Sequence, residues 1–223
     1  MVMTFEPVYD NQFSAPLGSE WVTYNGVPAC CPTSKWDKGN VVVQNGKLIL
    51  RGLRQPDGTY HTAGASLPHL NMTYGRVRFR GRFDKGLGLK MCALLWPQTG
   101  FEPPEIDFAE SRTEDAERTT MCMTLHYPPT AGDAIRDEIK KDFSQWHTWG
   151  VTWMPGHLSC TVDGKTWTVI EDATVGKVVV PRTPMHFGIQ TTMGSPGKAK
   201  PNRSTPPEVS LHIDSVTIWR YQA

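Results

Sequence analysis

No apolar run in the chain approaches the roughly 18 residues of a membrane-spanning helix, so a helical span is excluded. Neither sign of charge is in excess. Lys and Arg number 23 against 22 Asp and Glu, a formal net charge of +1, and this removes the electrostatic footprint of a nucleic-acid or anionic-membrane partner. The seven histidines show no metal-ligand spacing, so nothing supports a zinc hydrolase. Cysteine is scarce and odd in number: Cys30, Cys31, Cys92, Cys122 and Cys160. Adjacent Cys30 and Cys31 are poorly placed to bridge each other, and the other three fall in apolar runs as small buried hydrophobes, so free thiols are expected. Helical periodicity never persists beyond about two turns, and there is no repeat, no linker and no sign of a second domain.

What the chain does have is strand chemistry. Gly 20 and Pro 18 are high for a helical protein, and strand signals recur roughly every 8 to 15 residues. Val41 to Gln44 and Lys47 to Leu50 flank Asn45-Gly46, and Leu158 to Val162 and Thr166 to Ile170 flank Asp163-Gly164; both turns favour type I′ hairpins. Arg76, Arg78, Arg80 and Arg82 alternate with Val77, Phe79, Gly81 and Phe83, a strand with one basic and one apolar face. Such a basic face is usually a solvated outer surface, with Arg80 reaching a cleft as the alternative. Two long connections, Cys30 to Gly39 and Met193 to Glu208, have loop composition and should border any site. The reading is all-β: residues 1–223 as one two-sheet antiparallel sandwich of jelly-roll type.

The segment Glu105-Ile106-Asp107-Phe108-Ala109-Glu110 puts three carboxylates into otherwise apolar surroundings, where their desolvation is costly. In a regular strand Glu110 would point away from Glu105 and Asp107. A bulge of one residue is therefore predicted, which would aim both glutamates, with the aspartate between them, into one cleft. That is the equipment for retaining glycoside hydrolysis, at a carboxyl separation of about 5 to 5.5 Å.

The motif resembles the bulged E-x-D-x-x-E signature of glycoside hydrolase family 16, shared by laminarinases, agarases and carrageenases. Tyr74-Gly75-Arg76-Val77 with Arg80, Thr124-Leu125-His126-Tyr127, and the run from Trp146 to Gly156 leading to Val162-Asp163-Gly164 resemble further family blocks in the same order, over roughly residues 74 to 219. The resemblance implies a concanavalin/lectin-like sandwich with a concave substrate cleft. It makes Glu105 the nucleophile, Glu110 the acid/base and Asp107 the group that tunes the nucleophile. It implies an endo-acting hydrolase of a β-linked polysaccharide, with β-1,3-glucan first. A β-galactan such as agarose or carrageenan, or a bacterial surface polysaccharide, comes second. A non-catalytic lectin-like binding module is the competing class, and transglycosylation is inseparable from hydrolysis at this level.

For sugar contacts the candidates are Trp96, Trp36 and Trp149, with Trp153 assigned to the core; Leu94 stands where the family commonly has Trp, and Trp96 two residues on shares its face. His126 is placed in the cleft as a partner for a carboxylate or a sugar hydroxyl, and Gln190 as a similar contact. No cofactor is required, but the resemblance implies a structural calcium near Asp214 and the Gly46 carbonyl, against the alternative of a solvated Asp. A monomer acting on polysaccharide is expected. Met1 to Glu6 lacks the basic and apolar regions of a signal peptide, yet action outside the cell or at a cell surface is the expectation.

Overall fold

A computed structural model describes residues 4–129 and 132–222. Among these residues two sheets face each other, and every strand pairing is antiparallel except one. The seven-stranded sheet runs, in spatial order, β12 (Ala134–Lys140), β11 (Thr120–His126), β10 (Glu105–Ser111), β9 (Lys90–Pro97), β16 (Met185–Thr192), β7 (Gly64–Ser66) and β2 (Val22–Thr23). The ten-stranded sheet runs β15 (Lys165–Glu171), β14 (His157–Val162), β13 (His147–Met154), β8 (Gly75–Phe83), β17 (Glu208–Gln222), β5 (Lys47–Arg54), β6 (Tyr60–Thr62) and β3 (Lys35–Trp36). β1 (Thr4–Asn11) also pairs with β17, and β4 (Val41–Gln44) with β5; β3 and β6 form the parallel pair. The predicted jelly-roll sandwich is the observed architecture. No helix among the described residues is long and apolar enough to cross a membrane.

Alternation along each strand builds this arrangement, because one side-chain set of each sheet must leave water and can do so only against the other sheet. Phe79 from β8, Phe108 from β10 and Phe187 from β16 meet across the interior with ring centroids 6.0 to 6.5 Å apart. Each such aromatic pair adds about 0.5–1.5 kcal/mol beyond its burial. The hairpin turns form as expected. Asn45 and Gly46 have φ of 53° and 67°, and Asp163 and Gly164 have 52° and 76°, the left-handed pair that type I′ requires.

The arginines of β8 lie on the outward face. Arg76 stacks on Phe5, Arg78 on Trp219, and Arg80 and Arg82 on Trp146, at 4.3 to 5.7 Å from the ring centres. The solvated-face reading of that strand therefore holds, with the guanidinium groups lying on aromatic rings.

One buried cation organises the chain around the catalytic-strand candidate. Arg118 has no exposed surface and donates to the carbonyls of Asp84, Gly86, Leu89 and Asp115 at 2.6 to 3.0 Å, while its guanidinium lies 4.0 Å from the Phe83 ring centre. Those carbonyls belong to the turns that enter β9 and leave β10, so Arg118 pins both strands at one end of the cleft.

Candidate active site

The concave face is set by a register fault in β10. Opposite β11, Asp107 pairs with Thr124 and Glu110 with Cys122, three steps against two; opposite β9, Asp107 pairs with Leu94 and Ala109 with Ala93, two against one. One extra residue is thus accommodated between Asp107 and Glu110. Ile106, Phe108 and Ala109 are at most 1% exposed and fill the core, and Glu110 returns to the face of Glu105 and Asp107. The predicted bulge is present.

Burial is severe for these acids: Glu105 is 8% and Asp107 6% exposed. The Glu105 carboxyl lies beside those of Asp107 and Glu102. Asp107 accepts from the Cys92 thiol at 3.1 Å and lies 3.4 Å from His126 Nε2. Burial, then Asp107 and Glu102, raise the affinity of Glu105 for its proton well above that of an ordinary carboxylate. Glu110 is raised too, first by burial and then by Asp107, against the opposing pull of Lys90, whose ammonium contacts its carboxylate. Burial disfavours the Lys90 charge, but Glu110, with Cys92 and Asp107 behind it, outweighs that and holds Lys90 protonated.

The cleft on the Glu105 side is a cavity of about 690 Å³. Trp96, Trp36 and Gln190 all line it. Trp36 is held by its Nε1–H, which donates to the Thr191 carbonyl at 3.1 Å, and its ring packs against Tyr24 at 4.8 Å. Gly64 makes that packing possible, since a Cβ there would sit 2.4 Å from the Tyr24 ring. The two long loops border the cleft and are tied together: Ser34 Oγ accepts from Met193 N at 2.6 Å, Thr33 donates to the Gly194 carbonyl at 2.9 Å, and Ser195 donates to the Cys30 carbonyl at 3.1 Å. The Cys30 and Cys31 thiols lie 2.8 Å apart, unbridged.

Two residues expected in the cleft fall elsewhere. Trp149 is 2% exposed and packs between the sheets on Phe143 and Phe79, because β13 pairs with β8 and its odd-numbered side chains face inward. It is a core residue like Trp153. Arg80 projects from the opposite sheet toward Trp146 and Asp214 (3.6 Å), away from the cleft. Asp214 in turn receives Lys47 at 3.0 Å. A calcium ligand set needs six or more oxygens, and a carboxylate already facing two cations beside the Asn45-Gly46 turn does not fit one. Elsewhere among the described residues, possible ligand atoms of Glu102, Glu105 and His126, and of Cys92, Asp107 and Glu110, lie within 4.8 Å of one another. Both sets lie within the carboxylate cluster itself.

Lys90, Cys92, Glu102 and Tyr24 join the site without having been anticipated. For Lys90 and Cys92 a signal existed: they continue toward the N-terminus the same two-residue alternation that puts Leu94 and Trp96 on the concave face. Glu102 and Tyr24 come from loops, where periodicity says nothing.

The sequence profile of glycosyl hydrolases family 16 matches residues 32–209. The chain is 28% identical over 127 residues to endo-1,3-1,4-beta-glycanase ExsH of Rhizobium meliloti (strain 1021), a match covering 55% of this chain and 25% of that protein. Its fold is similar to the catalytic domain of an endo-1,3-beta-glucanase (laminarinase) from Thermotoga petrophila RKU-1, with a TM-score of 0.85 at 20% identity over all of both chains. It is also similar to endo-beta-1,3-glucanase from Pyrococcus furiosus, with a TM-score of 0.84 at 18% identity over 98% of this chain and 95% of that one.

Proposed function

The chain belongs to glycosyl hydrolase family 16, and from that premise we propose that it is an endo-acting, retaining hydrolase of a β-linked polysaccharide, with a β-1,3-glucan as its substrate. The observation that carries this reading is the bulged strand that turns Glu105, Asp107 and Glu110 onto one concave face. A sugar-binding module would gain nothing from three desolvated acids held together, whereas double displacement uses each of them.

In that reaction Glu105 attacks the anomeric carbon while Glu110 delivers its proton to the departing glycosidic oxygen. Asp107, buried beside Glu105, tunes the nucleophile through the coupling of the two carboxyls. Cys92 and His126 hold Asp107 in position for this. Once Glu105 is esterified its charge is gone from the cluster, the affinity of Glu110 for a proton falls, and Glu110 takes the proton of the incoming water. Trp96, Trp36 and Tyr24 offer flat faces for pyranose rings, and Gln190 offers an amide to their hydroxyls. The β-1,3-glucan assignment is supported by the laminarinase-type motif and by the names of the proteins it resembles in sequence and fold.

Product release from laminarin, mixed-linkage glucan, agarose, carrageenan and actinobacterial wall galactan, with Glu105→Gln as the contamination control, tests the proposal. Oligosaccharides from laminarin that keep the β-configuration at the new reducing end are expected. Products from a galactan alone would move the substrate assignment, and products persisting in the Glu105→Gln protein would remove the mechanism.

A further inference from the structure

The two ends of the cleft differ in chemistry. On the Glu105 side the walls are aromatic and apolar, with Tyr24, Trp36, Trp96 and Phe101 among them. Around Glu110 lies a separate cavity of about 310 Å³ lined by Lys90, Arg112, Arg136 and Lys198, with Glu110 and Glu114 as its acids. A neutral sugar is recognised by hydrogen bonds and ring faces and gives no reason to gather four cations.

Two of these cations are already committed within the protein. Lys90 contacts Glu110, and Arg112 donates to Glu138 at 2.7 Å and to Cys122 at 3.3 Å. Among the described residues Arg136 and Lys198 remain, with Glu114 the lining acid there not yet matched, and Lys198 is close enough to that carboxylate to lower its proton affinity. Arg136 pairs across the ladder with Thr124, which itself pairs with Asp107, so in this sheet all three share the concave face. Lys198 comes from the other rim, on the connection after β16. Both side chains are exposed and reach the same cavity from opposite walls.

We infer that the substrate carries an anionic substituent on the sugar lying beside Glu110, and that Arg136 and Lys198 receive it from the two rims. The chemistry they share a fit for is a compact oxyanion, whether sulfate ester, phosphate ester or carboxylate. Arg136 supplies a planar fork for two oxygens and Lys198 a point charge. The inference rests on the hydrolase reading above and adds to it the charge of the polymer.

The test uses one backbone in four forms: laminarin unsubstituted, lightly sulfated, lightly phosphorylated and lightly carboxymethylated. Affinity of the Glu105→Gln protein for each is read by affinity electrophoresis at low and high ionic strength, beside kcat/KM of the wild-type protein. Two exposed ion pairs predict roughly threefold to tenfold tighter binding of at least one substituted form at low salt. That preference should shrink in high salt. It should collapse toward one in Arg136→Ala and Lys198→Ala backgrounds, and the form most preferred identifies the oxyanion. Equal or weaker binding of all three substituted forms, or a preference that survives both substitutions, would overturn the inference. Because binding is read in a protein that does not turn over, loss of the hydrolase reading would appear separately, as wild-type protein releasing no product from any form.

Discussion

Replacing Glu105 by Gln should abolish turnover and at the same time stabilise the folded protein at neutral pH. In an unfolded chain a glutamate gives up its proton near pH 4.3, whereas in the folded cleft burial, Asp107 and Glu102 push Glu105 up to about 11. An acid whose proton affinity is higher folded than unfolded contributes its full stabilisation below the unfolded value. That contribution is lost as pH rises toward the folded value, at about 1.4 kcal/mol per pH unit. Between pH 4.3 and pH 7 the loss comes to about 3 kcal/mol, and it does not depend on how far above 7 the folded value lies. The groups facing Glu105 are Glu102 from the preceding loop, Asp107 on its own strand, His126 from β11, and Cys92 and Tyr24, so the proton belongs to the cluster and the slope is that of one proton. Gln keeps the shape and cannot ionise. Urea unfolding of both proteins at several pH values should therefore find them equal near pH 4 and the variant about 3 kcal/mol more stable at pH 7, or roughly 6 to 12 °C in Tm for a chain of this size. A stability difference that is flat with pH, or a variant weaker at pH 7, would refute the account of a desolvated, proton-sharing cluster.

Three further outcomes follow from the same geometry. Glu110→Ala should lose turnover of ordinary substrate, and azide, which needs no general base, should restore turnover of a substrate with a good leaving group; a folded variant that azide leaves inactive would remove Glu110 from the acid/base role. Lys90→Met should move the alkaline limb of the kcat/KM profile to higher pH, since Lys90 opposes the upward shift of Glu110; a downward move would contradict the ion pair. Trp149→Ala should cost about 3–5 kcal/mol in urea unfolding through the cavity it leaves between Phe79 and Phe143, whereas a cost under about 1 kcal/mol with weakened sugar binding would return Trp149 to the cleft.

Local pattern was enough for the parts of this protein that depend on neighbours in the chain. Asn45-Gly46 and Asp163-Gly164 determine their hairpins because few residues tolerate two successive left-handed conformations. The spacing of Glu105, Asp107 and Glu110, read against the two-residue period of a strand, calls for one extra residue if all three are to share a face. The apolar Ile106, Phe108 and Ala109 between them supply the opposite face on which that bulge rests. The acids of the site and the curvature of the strand that bears them were therefore legible together.

Tertiary pairing decided the rest. Alternation says which residues share a face and is silent about which sheet the strand joins or which of its faces is concave. Arg80 and Trp149 both lie in well-alternating strands, but β8 and β13 pair with each other in the ten-stranded sheet, sending Arg80 outward to Trp146 and Trp149 inward to the core. Asp214 could be read as a metal ligand until the β4–β5 hairpin brought Lys47 to it and β8 brought Arg80. Glu102 and Lys90, which adjust proton affinities that burial first raises, reach the two glutamates from a loop and from the neighbouring strand β9. By itself the sequence determined the strands, the turns and the three acids, because these depend on contacts a few residues long. Only the folded chain decided their electrostatic surroundings, because every group that sets those surroundings, apart from Asp107, arrives from outside the strand that carries the acids.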